Sequence, residues 1–130
     1  MNVHCFDTSA LLEITHDGPH AAKFEKALAK AESVIISSIS IYEMARYLTR
    51  VSGETITEQV LAFLQQYHIS PVTTEIAALA AALGARYKLA MADSLIYATA
   101  LSHHATLWTQ DADFKGLPHV KYFPKVTAEK

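Results

Sequence analysis

Five carboxylates stand where packing alone does not ask for them: Asp7 in HCFDTSALLE, Glu43 in SSISIYEMARY, Asp93 in LAMADSLIYATAL, and the pair Asp111 and Asp113 in WTQDADF. Each has an ordinary role open to it. Asp7 could cap the helix-like SALLE that follows, as aspartates at strand-to-helix turns do. Glu43 could pair along its own helix with Arg46 or Tyr47, and Asp113 could cap a turn into FKG. Asp93 is embedded in apolar residues, where a carboxylate without partners is costly or takes up a proton. It either caps a helix starting at Ser94 or belongs to a site.

Gathered in one place, these acids repel one another, and a divalent cation is the usual relief. With no cluster of Cys or His beside them, all-oxygen donors favour Mg²⁺ or Mn²⁺ over zinc. Such ions bind phosphates, activate water and stabilise in-line displacement, so the acids point to chemistry on a phosphodiester. A calcium loop is rejected at DADFKG. Asp111, Asp113 and Gly116 fall at its first, third and sixth positions, but Lys115 and Tyr122 stand where the fifth and twelfth need oxygen ligands. The four glycines, at 18, 53, 84 and 116, form neither a Walker loop nor a dinucleotide fingerprint. Among the histidines, His16 and His20 are separated by Gly18 and Pro19, and His103 and His104 sit at a helix end, so none reads as a ligand. Cys5 reads as an inert thiol within a core strand.

The elements that must position the acids follow from periodicity. NVHCF (2–6) and SVIISS (33–38) are β-rich runs, with weaker ones at HISPV (68–72), TLWT (106–109) and VKYF (120–123). Helical patterns fill the gaps. Pro19 stands at a first helical position ahead of HAAKFEKALAKA, IYEMARYLTRV runs to Gly53, and TITE has capping-box spacing ahead of QVLAFLQQY. TTEIAALAAALGARY (73–87) and MADSLIYATALSHH (91–104) are apolar on most faces, which predicts burial between layers or across a subunit interface. Strands separated by helical crossovers predict a mainly parallel sheet with helices on both sides, a three-layer α/β/α sandwich. Ligands in such folds collect beyond the carboxyl ends of the strands, which is where Asp7 falls for the first strand. The residues after several strands and the start of one buried helix should therefore bring the acids together.

Length and composition agree with this reading. The 130 residues suit a single domain over 1–130, large enough to bury roughly two-thirds of its unfolded surface without disulfides. A hydrophobic fraction of 51% favours a homo-oligomer. The formal charge of −2 gives no bulk attraction to nucleic acid, so a polyanion must be held through metal ions or a local basic patch. Lys23, Lys26 and Lys30 make a basic stripe that reads as a solvated face. One cysteine, no leader-like start and no apolar run of transmembrane length lead to the expectation of a cytoplasmic protein without a membrane partner.

The ordered set FDTSALLE, SSISIYE, ADSLIYATAL and TQDADF resembles the successive acidic motifs of PIN-domain ribonucleases. Its order, spacing and overall length are similar to the toxins of VapC-type (type II) toxin–antitoxin pairs, and the resemblance covers nearly the whole chain. It implies a PIN-like α/β/α sandwich and a Mg²⁺- or Mn²⁺-dependent endoribonuclease that cuts single-stranded or looped RNA and leaves 5′-phosphate and 3′-hydroxyl ends. It also implies a homodimer silenced by a cognate antitoxin. By the same resemblance Asp7, Glu43 and Asp93 take metal-binding positions, Asp111 matches the fourth acid, and Asp113 is an accessory one acting through water. Ser9 and Thr109 match hydroxyl positions that line the metal site, or else cap turns. Arg46 and Arg50 either meet RNA phosphate or an acidic partner such as the antitoxin, or form a solvated face.

Two readings compete: a non-catalytic RNA-binding module, which gives no reason for the acids, and a receiver-like phosphoacceptor domain. The receiver needs its aspartate after a central strand. If SVIISS is that strand, Ile39, Ser40 and Ile41 follow it with no aspartate. A phosphatase of the haloacid dehalogenase type would need a second aspartate two residues after Asp7, where Ser9 stands.

Overall fold

A computed structural model describes residues 2–126. Its strands are β1 (Val3–Phe6), β2 (Ser33–Ser37), β3 (His68–Ser70), β4 (Thr106–Thr109) and β5 (Val120–Tyr122). They form one sheet in the order β3-β2-β1-β4-β5, and every pairing is parallel. The helices are α1 (Thr8–Thr15), α2 (Ala21–Lys30), α3 (Ser38–Ser52), α4 (Glu54–Leu64), α5 (Thr74–Tyr87) and α6 (Met91–Ser102), with a 3₁₀ turn at Ala112–Phe114.

The period-two alternation of the strands divides the core into two layers. Phe6, Val34 and Ile36 project to one face, where Ala10 and Leu11 of α1, Phe24 of α2, Met44 and Leu48 of α3 and Leu64 of α4 cover them. Cys5, Ile35 and Leu107 project to the other and meet Ile96, Tyr97 and Ala100 of α6. Helix α5 packs outside α6 through Ile76 and Ala80. The α/β/α sandwich expected from the sequence is therefore the observed fold, with a wholly parallel sheet.

Several boundaries differ from the expectation for local reasons. Pro19 lies before α2 rather than inside it, because the Glu13 carboxylate accepts the His20 N–H at 2.8 Å and closes a turn there. Helix α4 begins at Glu54 instead of using Thr55 in a capping box; its cap is Gly53, at φ 88°. That positive φ ends α3 and starts α4 in one residue. Strand β3 stops at Ser70, since Pro71 offers no N–H to continue the ladder. Helix α3 starts earlier than its apolar pattern, with Ser37 accepting the Ile39 N–H at 3.1 Å as its cap. Helix α6 starts at Met91, which puts Asp93 inside its first turn and removes the capping role considered for it. Burial of α5 is one-sided: Ala77, Ala78, Ala81, Ala82 and Ala85 are exposed.

Candidate active site

The acids collect beyond the carboxyl end of the sheet. Asp7 leaves β1 and caps α1, so the capping role and a place in the site are both realised. Its Oδ1 accepts the Ala10 N–H at 2.9 Å and the Ser9 hydroxyl at 2.7 Å, and its Oδ2 accepts the Thr109 hydroxyl. Thr109 closes β4, and its Oγ1 also accepts the Asp111 N–H at 2.9 Å. Ser9 Oγ accepts the Gln110 N–H at 2.8 Å. These hydroxyls tie the β1–α1 turn to the end of β4, so Ser9 and Thr109 set the spacing of Asp7 and Asp111.

The other acids arrive from helices. Glu43, on the second turn of α3, accepts the Thr8 hydroxyl at 2.6 Å, and Arg46 turns away to donate to the Tyr42 hydroxyl at 3.0 Å. Asp111 caps the 3₁₀ turn by accepting the Asp113 N–H at 2.9 Å; the capping role considered for Asp113 falls to its neighbour. Asp93, Asp111 and Asp113 each offer a carboxylate oxygen within 4.8 Å of the others. A pocket of about 310 Å³ is lined by Asp7, Glu43, Asp93 and Asp111 together with Thr8, Ser9, Tyr47 and Lys125.

The crowding is visible in the proton affinities. Burial raises the Asp93 carboxyl to about 7, with Asp111, Asp113, Asp7 and Glu43 pushing the same way. Burial also raises Asp7, to about 6, against the pull of hydrogen bonds from Thr109, Ser9 and Ala10. Two carboxylates raised towards neutrality by burial, Asp93 and Asp7, beside further carboxylate oxygens, fit a site for a hard divalent cation. Asp93, Asp111 and Asp113 are spaced to share one, whereas Asp7 has both oxygens committed to neighbouring donors.

Sequence reasoning brought the five acids, Ser9 and Thr109 to one place, and the structure places them there. It missed Thr8, Tyr47 and Lys125. Thr8 lies between two singled-out residues in DTS, but its hydrogen bond to Glu43 depends on how α3 crosses α1; Lys125 carries no local signal. The guanidinium of Arg50 lies over the Tyr47 ring at 5.4 Å, and Arg46 and Arg50 line a shallow basin of about 300 Å³ that includes Glu43. The central strand is β1, not β2 as expected from the sequence, and it is followed by an aspartate. Asp7 is nonetheless 3% exposed with both oxygens hydrogen-bonded, which gives a phosphoryl donor no access. Among the described residues no helix is long and apolar enough to cross a membrane.

Comparison with known proteins agrees with this geometry. The PIN domain family model matches residues 4–120. Ribonuclease VapC22 of Mycobacterium tuberculosis is 34% identical over 98 residues, which covers 72% of this chain and 75% of that protein. Among solved structures, a toxin–antitoxin complex from Klebsiella pneumoniae superimposes with a TM-score of 0.79 at 27% identity, covering 94% of this chain and 99% of that one. VapC20 of M. tuberculosis, described as a sarcin–ricin loop cleaving toxin, shares the fold with a TM-score of 0.73 at 16% identity, over 90% of this chain and 95% of that one. The order of the acidic motifs, the parallel sheet that gathers them and these relatives lead to one conclusion: the chain belongs to the PIN-domain family, with VapC-type ribonuclease toxins among its relatives.

Proposed function

We propose that this protein is a Mg²⁺- or Mn²⁺-dependent endoribonuclease that cuts single-stranded or looped RNA, acting as the toxin of a toxin–antitoxin pair. The observation that carries the reading is the set of three carboxylates within 4.8 Å, in a pocket shared with Asp7 and Glu43. Asp93, Asp111 and Asp113 would hold the ion, with Glu43 and Asp7 completing the acidic wall. This enlarges the role of Asp113, read as accessory from its motif. A bound Mg²⁺ or Mn²⁺ supplies an activated water and neutralises charge on the phosphate during in-line displacement. The chain's own contribution is positioning. Thr109 and Ser9 fix Asp7 and the backbone leading to Asp111, and Thr8 fixes Glu43. Arg46 and Arg50, on the rim beside Glu43, are placed to meet RNA phosphate or the acidic segment of an antitoxin.

The assembly reading is a homodimer. Val72, Ala77, Ala81, Ala85 and Met91 line an apolar groove of about 510 Å³ between α5 and α6, and Met91 is 79% exposed. Small side chains let two such helices approach closely, and a second copy offers the same apolar face.

The deciding experiment is cleavage of a panel of structured RNAs, transfer RNAs included, by antitoxin-free protein with Mn²⁺ or Mg²⁺. Cutting that EDTA and Asp93→Asn both abolish is the expected result. Cutting that persists in EDTA would remove the metal from the mechanism. No cutting by folded, metal-bound protein would favour the non-catalytic RNA-binding reading.

A further inference from the structure

The stripe Lys23, Lys26 and Lys30 faces outward from α2, whose inner residues Ala21, Phe24 and Ala27 are buried. Its arrangement is unfavourable to the isolated protein. Lys23 and Lys26 are three residues apart and Lys26 and Lys30 four, so like charges are neighbours, and no Asp or Glu stands three or four residues from any of them. Helix geometry spreads the three over about 10 Å of axis, roughly three steps of a nucleic-acid strand at its stacked spacing of about 3.4 Å.

The surroundings extend the stripe. Lys23 Nζ lies 5.1 Å from the centre of the Phe123 ring, and Lys121 Nζ lies 5.8 Å from that of Trp108. The two rings, on β4 and the segment after β5, are stacked with centres 5.8 Å apart and an interplanar angle of 18°. Trp108 and His4 share a pocket of about 250 Å³ with Lys23, Lys26 and Lys30, and Trp108 Nε1 and His4 Nδ1 have no hydrogen-bond partner there. The cationic surface is also continuous with the acidic pocket. Lys125 lines that pocket, the carbonyl of its neighbour Pro124 meets His20 Nε2 at 2.9 Å, and His20 leads into α2.

We propose that the lysine row of α2, joined by Lys121 and Lys125, is a phosphodiester-binding track for the RNA strand where it leaves the acidic pocket. The inference rests on the ribonuclease reading for its ligand. It explains how a chain of net charge −2 holds a polyanion beside five carboxylates: the scissile phosphate meets the metal, and the flanking phosphates meet lysines. The rings of Phe123 and Trp108 pack on the core and carry the Lys23 and Lys121 ammonium groups over them, and the spacing of the row along about 10 Å suits the repeating phosphates of a nucleic-acid strand better than an acidic peptide.

The test is the salt dependence of binding of a labelled single-stranded RNA to the full chain in chelator, where the strand stays intact. Wild type is compared with Lys23→Gln/Lys26→Gln/Lys30→Gln and with the matching triple Arg variant, after melting curves show all three folded. Loss of three phosphate contacts should lower the slope of log K against log salt by about 2, with the Arg variant keeping the wild-type slope. In cleavage assays the Gln variant should raise KM for a long strand and leave a short one, spanning the pocket alone, unchanged. An unchanged slope overturns the track, as does an acidic polypeptide that binds the stripe while RNA affinity is indifferent to it. Failure of wild type to cut any RNA would sink the ribonuclease reading instead, and the binding slope still reads the track by itself.

Discussion

At the scale of single residues, the site is governed by groups that are uncomfortable without a cation. Asp93 and Asp7 hold protons up to about 7 and about 6 in the folded protein, against a usual carboxylate value of 3.8. The folded state therefore binds those protons more tightly than the unfolded chain. Their contribution to stability is complete below about 3.8 and is lost as pH rises through 6 and 7. Metal-free protein should melt at a falling temperature from about pH 4 to about pH 7 and level off above it, and added Mg²⁺ should restore more at the higher pH. A Mg²⁺-induced shift that is the same at both would contradict the assignment of Asp93. Asp93→Asn should cut metal-dependent cleavage by more than about 100-fold. The same change should raise the melting point of the metal-free protein above neutral pH by a few degrees, because the amide removes a repelled charge. Thr109→Val tests the positioning network: it strands Asp7 Oδ2 and the Asp111 N–H, and should cost about 1–3 kcal/mol in denaturant unfolding.

At the scale of elements, the contact between α5 and α6 is set by one missing side chain. A Cβ on Gly84 would sit 2.6 Å from Ser94 Oγ, closer than real contacts allow, while Ser94 donates to the Ala90 carbonyl at 2.8 Å. Gly84→Ala should therefore destabilise by about 1–3 kcal/mol, although alanine is the better helix former. Adding Ser94→Ala should recover most of the loss, and an additive double variant would show that the two do not touch. This contact also marks the limit of what the sequence discloses. The strands were legible because Cys5 and Phe6, and Val34, Ile35 and Ile36, form short unbroken apolar runs, as a sheet covered on both faces requires. The five acids were legible only as an ordered set that a parallel sheet would gather, since singly they had capping or pairing roles open to them. The boundaries that failed depended on partners distant in sequence or on backbone conformation: the Glu13 carboxylate beyond Pro19, and Gly53 at positive φ. The one-sided burial of α5 was hidden because an alanine-rich helix carries little moment to say which face turns inward.

At the scale of the whole molecule, the exposed apolar face of α5 and α6 predicts the state of assembly. Ala81 lines the groove and is exposed, so Ala81→Glu should leave the fold intact and shift the protein from dimer to monomer in sedimentation. A wild-type monomer at high concentration would remove the homodimer. The sheet order carries another consequence. Asp7 and Thr109, hydrogen-bonded across neighbouring strands, are 102 positions apart. During synthesis Asp7 and Glu43 are made long before Thr109, Asp111 and Asp113, with Asp93 only shortly ahead of them. A nascent chain that has not yet extruded β4 has no partner for β1 on that side and only part of its acidic set. The carboxylate cluster is therefore complete only once β4 and the turn after it have been made.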